Sequence, residues 1–163
     1  MNDTDAWKVQ VLQDLCFGAH MKKELLTDGV NYHHLFYTKD RLVVGYAYKK
    51  YVEHPNPYKK ATRISWLCVH PKYRKQGIAE AIVTQLINSN AFYTTTIKND
   101  NVASINLFRK LRFTVDDSLP VAEGKTNFIL QNRIMKHIKY SIMSKTFWTW
   151  TGQYKTEGDT HGN

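Results

Sequence analysis

The chain has 163 residues, 42% of them hydrophobic, and a formal net charge of +9 at pH 7. This length suits one globular domain with a buried core and is short for two. No apolar run is long enough to span a bilayer, and the polar start MNDTDAWKVQ is unlike a secretory signal, so we expect a cytoplasmic protein without a membrane partner. The positive charge favours an anionic partner such as nucleic acid, a phosphorylated small molecule or an acidic protein surface, although it could simply aid solubility.

The first half of the chain predicts one helix and three strands. Apolar residues recur at helical spacing from residue 5 to about residue 26, where DG ends the helix. The segment YHHLFYTKDRLVVGYAYKKYVE is typical of two strands joined at KDR. HPNPY is expected to be a loop because two close prolines fit neither a helix nor a sheet, and ATRISWLCVH is a third strand that ends at Pro71.

The second half alternates helices and strands. A helix with a broad apolar face follows Gly77, FYTTTIK is rich in strand-forming residues, and NDN begins a second helix whose inward side carries Ile105, Phe108 and Leu111. FTVDD and KTNFILQ are expected to form a closing pair of strands. This order predicts an α/β domain with a mixed sheet flanked by helices over residues 1–131.

The C-terminal part is predicted to form an extension. Ile134, Ile138 and Ile142 are spaced four apart, with basic residues on other faces, which predicts an added amphipathic helix over residues 132–150. We expect this helix to pack on the domain, and attachment to a membrane or to nucleic acid is the alternative. Residues 151–163 are expected to form a flexible tail.

No metal site is predicted. Cys16 and Cys68 lie within apolar patterns, which indicates free buried thiols in a reducing compartment. His33 and His34 are adjacent in a strand, so their side chains face opposite sides of the sheet and cannot chelate together. The remaining histidines have no ligand spacing.

The hexapeptide RKQGIA, residues 74–79, joins the third strand to the next helix. The first N–H groups of a helix have no internal partner and carry the positive end of the helix dipole. A glycine there lets the main chain approach a phosphate closely, and Arg74 and Lys75 add positive charge. The segment lacks the glycines of a P-loop or a dinucleotide fingerprint. It indicates a pyrophosphate site, although an ordinary helix entry with solvated lysines has the same pattern.

Two blocks of sequence resemble one known family. VHPKYRKQGIAEAIV is similar to the acetyl-CoA-binding motif of the GNAT superfamily of N-acetyltransferases, Gln/Arg-x-x-Gly-x-Gly/Ala, with Arg74, Gly77 and Ala79 at the defining positions. NVASINLFRKLRF resembles the second conserved helix of that family, Asn-x-x-Ala-x-x-Leu-Tyr-x-Lys-x-Gly-Phe. The blocks occur in the order of the family with one strand between them, and the likeness in element order covers roughly residues 32–130.

The resemblance implies a GNAT-like, mainly antiparallel sheet and acetyl-CoA as the acyl donor. Main-chain groups of Leu67, Cys68 and Val69 would pair with the pantetheine arm as if it were another strand. Asn101 would hydrogen-bond the pantetheine, and Ser104 and Phe108 would line its far side. The pyrophosphate would be held by the backbone amides of Arg74, Lys75, Gln76, Gly77, Ile78 and Ala79.

The sequence departs from the family pattern at three places. Phe108 replaces the tyrosine that commonly protonates the leaving thiolate, and a phenyl ring has no proton to give. Arg112 replaces a glycine, so the turn after that helix is expected to differ. The strand TRISWLCV has no carboxylate to act as a base. Glu53 and His54 are the candidate catalytic bases, although a charged pair beside a proline loop is more often solvated surface.

The resemblance therefore implies an N-acetyltransferase that moves an acetyl group directly from the thioester to an amine of a small molecule or a protein. The alternative is a module of the same fold with weak or no catalysis that binds a protein or nucleic acid through its basic surface. Many relatives pair through their last strands, so the resemblance also allows a homodimer.

Overall fold

The computed structural model describes residues 1–53, 61–89, 91–118 and 120–131, together with the backbone of residues 149–150. The helices are α1 (Asp3–Phe17), α2 (Lys23–Leu26), α3 (Ile78–Leu86) and α4 (Val102–Lys110), and a 3₁₀ turn spans Pro71–Tyr73. The strands are β1 (His33–Lys39), β2 (Leu42–Val52), β3 (Ala61–Val69), β4 (Phe92–Lys98), β5 (Thr114–Val115), β6 (Lys125–Gln131) and β7 (Thr149–Trp150).

These strands form one mixed sheet in the order β5-β6-β4-β3-β2-β1-β7. Neighbouring strands are antiparallel except β3 and β4, which are parallel. One apolar cluster lies between the sheet and α3 and α4, and a second lies between the sheet and α1 and α2. The predicted α/β class with a mixed, mainly antiparallel sheet is therefore confirmed.

The hairpin of β1 and β2 turns where the sequence predicts it. Asp40 and Arg41 have φ values of 52° and 64°, and a tight two-residue hairpin turn needs positive φ at both central positions. The proline-rich loop that was predicted after β2 lies outside the described residues.

The N-terminal helical region is shorter than its periodicity predicts. α1 ends at Phe17, and α2 begins only at Lys23, so the single predicted helix is in fact two. α1 ends because Gly18 adopts the left-handed conformation with a φ of 69° and donates from its N–H to Asp14 O at 2.9 Å. The buried Gln13 Oε1 then accepts from Met21 N at 2.8 Å and holds the connecting segment against α1. Apolar spacing alone does not register these two contacts.

The predicted C-terminal helix and tail lie almost wholly outside the described residues. Residues 149 and 150 are the exception, since their backbone forms β7 and pairs with Phe36 and Leu35 of β1. At these two positions the chain is a strand and not the predicted helix.

The turn after α4 keeps the form that a glycine would give it. Arg112 has a φ of 74°, Phe113 N donates to Phe108 O at 2.9 Å, and Arg112 N donates to Arg109 O at 3.0 Å. These bonds are those of a Schellman motif, and the edge-to-face contact of Phe108 with Phe113 supplies its usual apolar contact. The expectation that the turn must differ is therefore wrong, because the hydrogen bonds and the ring contact outweigh the left-handed strain of Arg112.

An Arg112→Gly variant is expected to be more stable than the wild type by about 1 kcal/mol, because glycine adopts this conformation without the steric cost of a Cβ. Urea unfolding measures the difference. Arg109→Gly is the matched control, since its position has ordinary helical geometry and the same change there should cost about 1 kcal/mol. A loss of stability in both variants would contradict the assignment of strain to Arg112.

Candidate active site

A fork between β3 and β4 opens the centre of the sheet. The two strands pair only where residues 61–63 meet residues 92–94. At the fork point Thr95 Oγ1 donates to Ile64 O at 3.1 Å. Because β3 continues to Val69 and β4 to Lys98 without further pairing, the far part of β3 has no strand partner on its β4 side among the described residues.

A β-bulge lies in this far part of β3. Cys68 pairs with Tyr46 of β2, whereas Ser65 pairs with Tyr48, so one residue of β2 faces two residues of β3. Trp66 sits in the bulge with a φ of 59°. The extra residue explains why Ile64 packs towards α3 while Cys68 packs towards α1.

The pairing of β3 with β2 sets the direction of its backbone groups. His70 N donates to Val44 O at 2.8 Å. Successive residues of a strand direct their N–H and C=O groups to opposite sides. The N–H and C=O of Val69 therefore point away from β2. Val69 O accepts from Arg74 Nε at 3.1 Å and from Cys16 Sγ at 3.5 Å, so its N–H is the group with which an extended tether in the fork could pair.

The start of α3 presents unpaired amides beside the end of β3. Gly77 caps the helix with φ 80° and ψ 10° and without a side-chain hydrogen bond. The first amide to enter the helical ladder is that of Ala81, which donates to Gly77 O at 3.1 Å. The N–H groups before it carry the positive end of the dipole. Apart from its chain neighbours, a Cβ at Gly77 would meet no atom within 4 Å, so the space beside this cap is open.

An ion pair neutralises the acidic side chain of this first turn. Lys110 Nζ of α4 lies 2.7 Å from Glu80 Oε1. Glu80 is the acidic residue in the first turn of α3, and a free carboxylate there would repel an anion. Lys110 belongs to the second sequence block. By pairing with Glu80 it offsets a negative charge that would oppose anion binding at the first block.

The 3₁₀ turn that leads into this segment is tied to the β1–β2 hairpin. Tyr73 Oη donates to Asp40 Oδ2 at 2.9 Å, and this bond raises the pKa of Tyr73. His70 Nδ1 accepts from Lys72 N at 3.1 Å. Both ends of the turn are thereby fixed before the chain reaches Arg74.

Gly45 lets α3 lie close to the sheet. A Cβ at this residue would stand 2.7 Å from Ile78 Cγ2 and 2.9 Å from Ile82 Cδ1. Both distances are shorter than real Cβ contacts, so a larger residue must displace these two side chains or the start of α3 that carries them.

We expect Gly45→Ala to lower the free energy of unfolding by about 1–3 kcal/mol, as overpacking of a core usually does. It should also weaken binding of coenzyme A, because the displaced residue Ile78 belongs to the pyrophosphate segment. Denaturant unfolding and calorimetry measure the two effects. Adding Ile82→Val removes one of the clashing methyl groups and should recover part of both losses; a double variant no better than Gly45→Ala would contradict the proposed clash.

The predicted cofactor residues of α4 have local contacts of their own in the structure. Asn101 Oδ1 accepts from Ser104 N at 3.2 Å and so caps α4, which leaves its amide NH₂ as the group that could reach pantetheine. Phe108 is only 2% exposed and packs on Phe113 in the core. Its predicted contact with the cofactor therefore stays a prediction.

One known protein family matches this chain. The family model described as "Acetyltransferase (GNAT) domain" matches residues 31–115. The chain belongs to the GNAT acetyltransferase family. A search of curated protein sequences gives no match.

Solved structures share the GNAT fold at low sequence identity. The ribosomal-protein-S18-alanine N-acetyltransferase of Escherichia coli is 17% identical with a TM-score of 0.63, and the match covers 80% of this chain and 89% of that one. NAA60 of Arabidopsis thaliana in complex with a bisubstrate analogue is 16% identical with a TM-score of 0.65, covering 80% and 94%. YncA of Salmonella typhimurium, a putative acetyltransferase solved with its cofactor acetyl-CoA, is 19% identical with a TM-score of 0.60, covering 81% and 91%.

Glu53, one of the two candidate bases of this GNAT chain, is not brought to the fork. Glu53 is exposed and follows Val52, which pairs with Ala61 at the closed end of the fork. Leu67 is six residue steps from Ala61 along β3, a distance of about 20 Å in a strand. His54 lies outside the described residues. A catalytic role for either residue stays a prediction.

The described part of the chain contains no group of three or more His, Cys, Asp or Glu side chains placed to hold a metal ion. Among the same residues, no helix has the length and apolar character needed to cross a membrane.

Proposed function

We propose that this protein is an acetyl-CoA-dependent N-acetyltransferase that moves the acetyl group directly from the thioester to an amine of a small molecule or a protein. The proposal rests on one observation: the edge of β3 and the first turn of α3 follow each other along the chain. The edge of β3 at Val69, which β4 does not cover, leads through Arg74 to the first-turn amides of α3. One extended molecule with a diphosphate at one end and an amide-bearing tether at the other fits both.

In this arrangement the chain mainly binds and orients. The first-turn amides of α3 hold the diphosphate, and the edge of β3 holds the tether, so that the thioester lies near the bulge at Trp66. An incoming neutral amine attacks the thioester carbonyl, coenzyme A leaves as a thiolate, and the amine loses a proton. A main-chain N–H of β3 can polarise the carbonyl oxygen. A thioester is already activated, so positioning supplies much of the rate.

The acceptor is to be found by assay. Purified protein is incubated with acetyl-CoA and a panel of peptides and small amines, and the products are identified by mass spectrometry. An acetylated amine, formed together with free coenzyme A, supports the proposal, and acetyl-CoA binding without any acetylated amine would contradict it. Glu53→Gln and His54→Asn then test the two candidate bases, since loss of a proton acceptor should lower kcat most at the higher pH where the wild-type base is unprotonated, and should flatten the acid limb of the pH profile.

The second candidate function is a GNAT module that binds a partner without turnover. Phe108 in the place of the usual tyrosine and the lack of a carboxylate on β3 favour it. The same assay separates the two functions. Salt-dependent retention on nucleic acid without any acetyl transfer would favour the module.

A further inference from the structure

One face of the sheet is closed at the fork. Ile64 at the fork point and Phe108 of α4 are each 2% exposed, and both belong to the apolar cluster beneath α3 and α4. Thr95 Oγ1, on the same face, donates to Ile64 O. Because the core fills this side, we expect an acceptor amine to approach the fork from the opposite face, on which α1 and α2 lie.

The opposite face carries polar side chains at the fork point. Successive residues of a strand face opposite sides of the sheet, so Arg63, Thr94 and Thr96 lie on the face away from α3. Arg63 pairs with Thr94 in the last rung before β3 and β4 part. Its Nη2 donates to Thr96 Oγ1 at 2.8 Å, and Thr96 Oγ1 donates to Asn127 Oδ1 at 2.6 Å. The guanidinium of Arg63 therefore reaches across the start of the gap between the two strands.

This half-buried guanidinium has no carboxylate partner. Among the described residues, no Asp or Glu oxygen lies within ion-pair distance of Arg63 or of Lys50. Lys50 is the residue of β2 that pairs with Arg63, and its Nζ lies 4.7 Å from the centre of the Tyr32 ring. Like charges on directly opposite residues of two strands are destabilising. A bound anion would relieve this repulsion.

Thr94 is a second and independent indication of a ligand at the same place. Its side chain is 2% exposed, and its Oγ1 has no hydrogen-bond partner within the described part of the chain. A buried hydroxyl without a partner costs free energy, and such groups are rare. The hydroxyl of Thr94 and the guanidinium of Arg63 are both donors on one face, and a carboxylate can accept from both.

The spacing along the fork indicates where this carboxylate lies in the acceptor. Because Thr94 is level with Arg63, the Thr96 hydroxyl that holds the guanidinium is level with Ser65. The thioester is expected near Trp66, one residue further along β3, which is a rise of about 3.3 Å. The carboxylate and the attacking amine are therefore only a few bonds apart.

We propose that Arg63 binds a carboxylate of the acceptor, with Thr94 as a second donor, so that the protein acetylates amines that carry an acidic group a few bonds from the nitrogen. The inference rests on the proposed acetyltransferase function and names its substrate class. Free amino acids have such a carboxylate, and so do peptides with an acidic residue next to the free N-terminus. Arginine binds a carboxylate through two parallel hydrogen bonds, whereas a polyamine would be repelled.

The test compares acceptors that differ in the charge of a single group. Initial rates of coenzyme A release are measured with acetyl-CoA and two matched pairs, glycine with glycinamide and a peptide that begins Ala-Glu with one that begins Ala-Gln. Each rate is divided by the fraction of neutral amine at the pH used. In at least one pair, the wild type should use the acidic member with a kcat/KM about tenfold or more above that of the neutral member. The first pair detects an amino acid substrate, and the second detects an acidic peptide.

Three variants separate the charge of Arg63 from its structural contacts. Arg63→Gln keeps a donor for Thr96 and should lower kcat/KM about tenfold or more for the acidic acceptor alone, with acetyl-CoA affinity unchanged by calorimetry. Lys125→Gln is the matched control, because it removes the same charge from the same face, where Lys125 pairs with Lys98 of β4. Thr94→Val should raise the urea midpoint, since it removes a buried unpaired hydroxyl, and should weaken only the acidic acceptor.

Two outcomes overturn the inference and leave the proposed function intact. One is equal use of the acidic and neutral members of both pairs by the wild type. The other is an equal loss for both members in Arg63→Gln, which is what a purely structural role would give. Protein that binds acetyl-CoA and transfers acetyl to no amine at all would overturn the proposed function as well.

Discussion

Gly77→Glu is expected to weaken acetyl-CoA binding by about a hundredfold or more. The side chain would enter the open space in front of the α3 amides, where no protein atom lies within 4 Å of the new Cβ. Its carboxylate would stand about 5 Å from a bound diphosphate, and at an effective dielectric constant of about 20 that repulsion costs about 3 kcal/mol. The measurement is calorimetric titration with acetyl-CoA.

Two controls separate charge from backbone strain. Gly77 has a φ of 80°, so any side chain there costs about 1 kcal/mol before it meets a ligand. Gly77→Gln has the size and strain of the glutamate variant without its charge, and Gly77→Ala has the strain alone. Both should bind acetyl-CoA more tightly than Gly77→Glu. Unaltered affinity in Gly77→Glu would refute the assigned pyrophosphate site, and equal losses in the Glu and Gln variants would assign the effect to strain.

The sequence predicts well those features that depend only on residues close together in the chain. The turn at Asp40 and Arg41 needs only the residues beside it, and the helix that starts after Gly77 follows from its own apolar period. The pyrophosphate segment belongs to this class, because the direction of a helix and the absence of a Cβ at its first turn create the site locally.

Features that depend on contacts between distant residues are not predicted. The bulge at Trp66 appears only when β3 is set against β2, and the meeting of Cys16 with Cys68 requires α1 to pack on the far end of β3. Arg112 is another feature that the sequence alone predicts wrongly. Its sequence position suggests a changed turn, yet the bonds that close α4 hold it in the conformation of a glycine.

His34 is buried in a hydrogen-bond network that fastens α2 to the sheet. It is 0% exposed, and its Nε2 lies 3.1 Å from Leu25 O and 3.2 Å from Asp28 O. Its Nδ1 lies 2.7 Å from Tyr46 Oη. The two carbonyls require the proton on Nε2, so Nδ1 accepts from the tyrosine and the ring is neutral. Burial, with a smaller contribution from the N-terminal ammonium, lowers the pKa of His34 from 6.5 to about 4.

Acid is therefore expected to destabilise the fold before its carboxylates titrate. Between pH 6.5 and about 4 the unfolded chain binds a proton at His34 that the folded chain does not, so stability falls as the pH falls through this window. At about 1.4 kcal/mol per unit of pKa, the loss from His34 is about 3 kcal/mol. His33, whose pKa burial also lowers to about 4, adds to the loss in the same window. Asp28, whose pKa is lowered by hydrogen bonds from Asn31, contributes only below its ordinary value of 3.8.

Urea unfolding at a series of pH values tests this expectation, with His34→Gln as the matched variant. Glutamine keeps a donor and an acceptor in the network but does not titrate, so its stability should depend less steeply on pH than that of the wild type. The variant should also be less stable at neutral pH, because an amide cannot reach Leu25 O, Asp28 O and Tyr46 Oη with the geometry of the imidazole. A His33→Gln variant measures how much of the remaining pH dependence of the unfolding free energy comes from His33. Equal slopes in the wild type and His34→Gln would show that His34 already takes up its proton in the folded chain, against the burial and hydrogen bonding that keep it neutral.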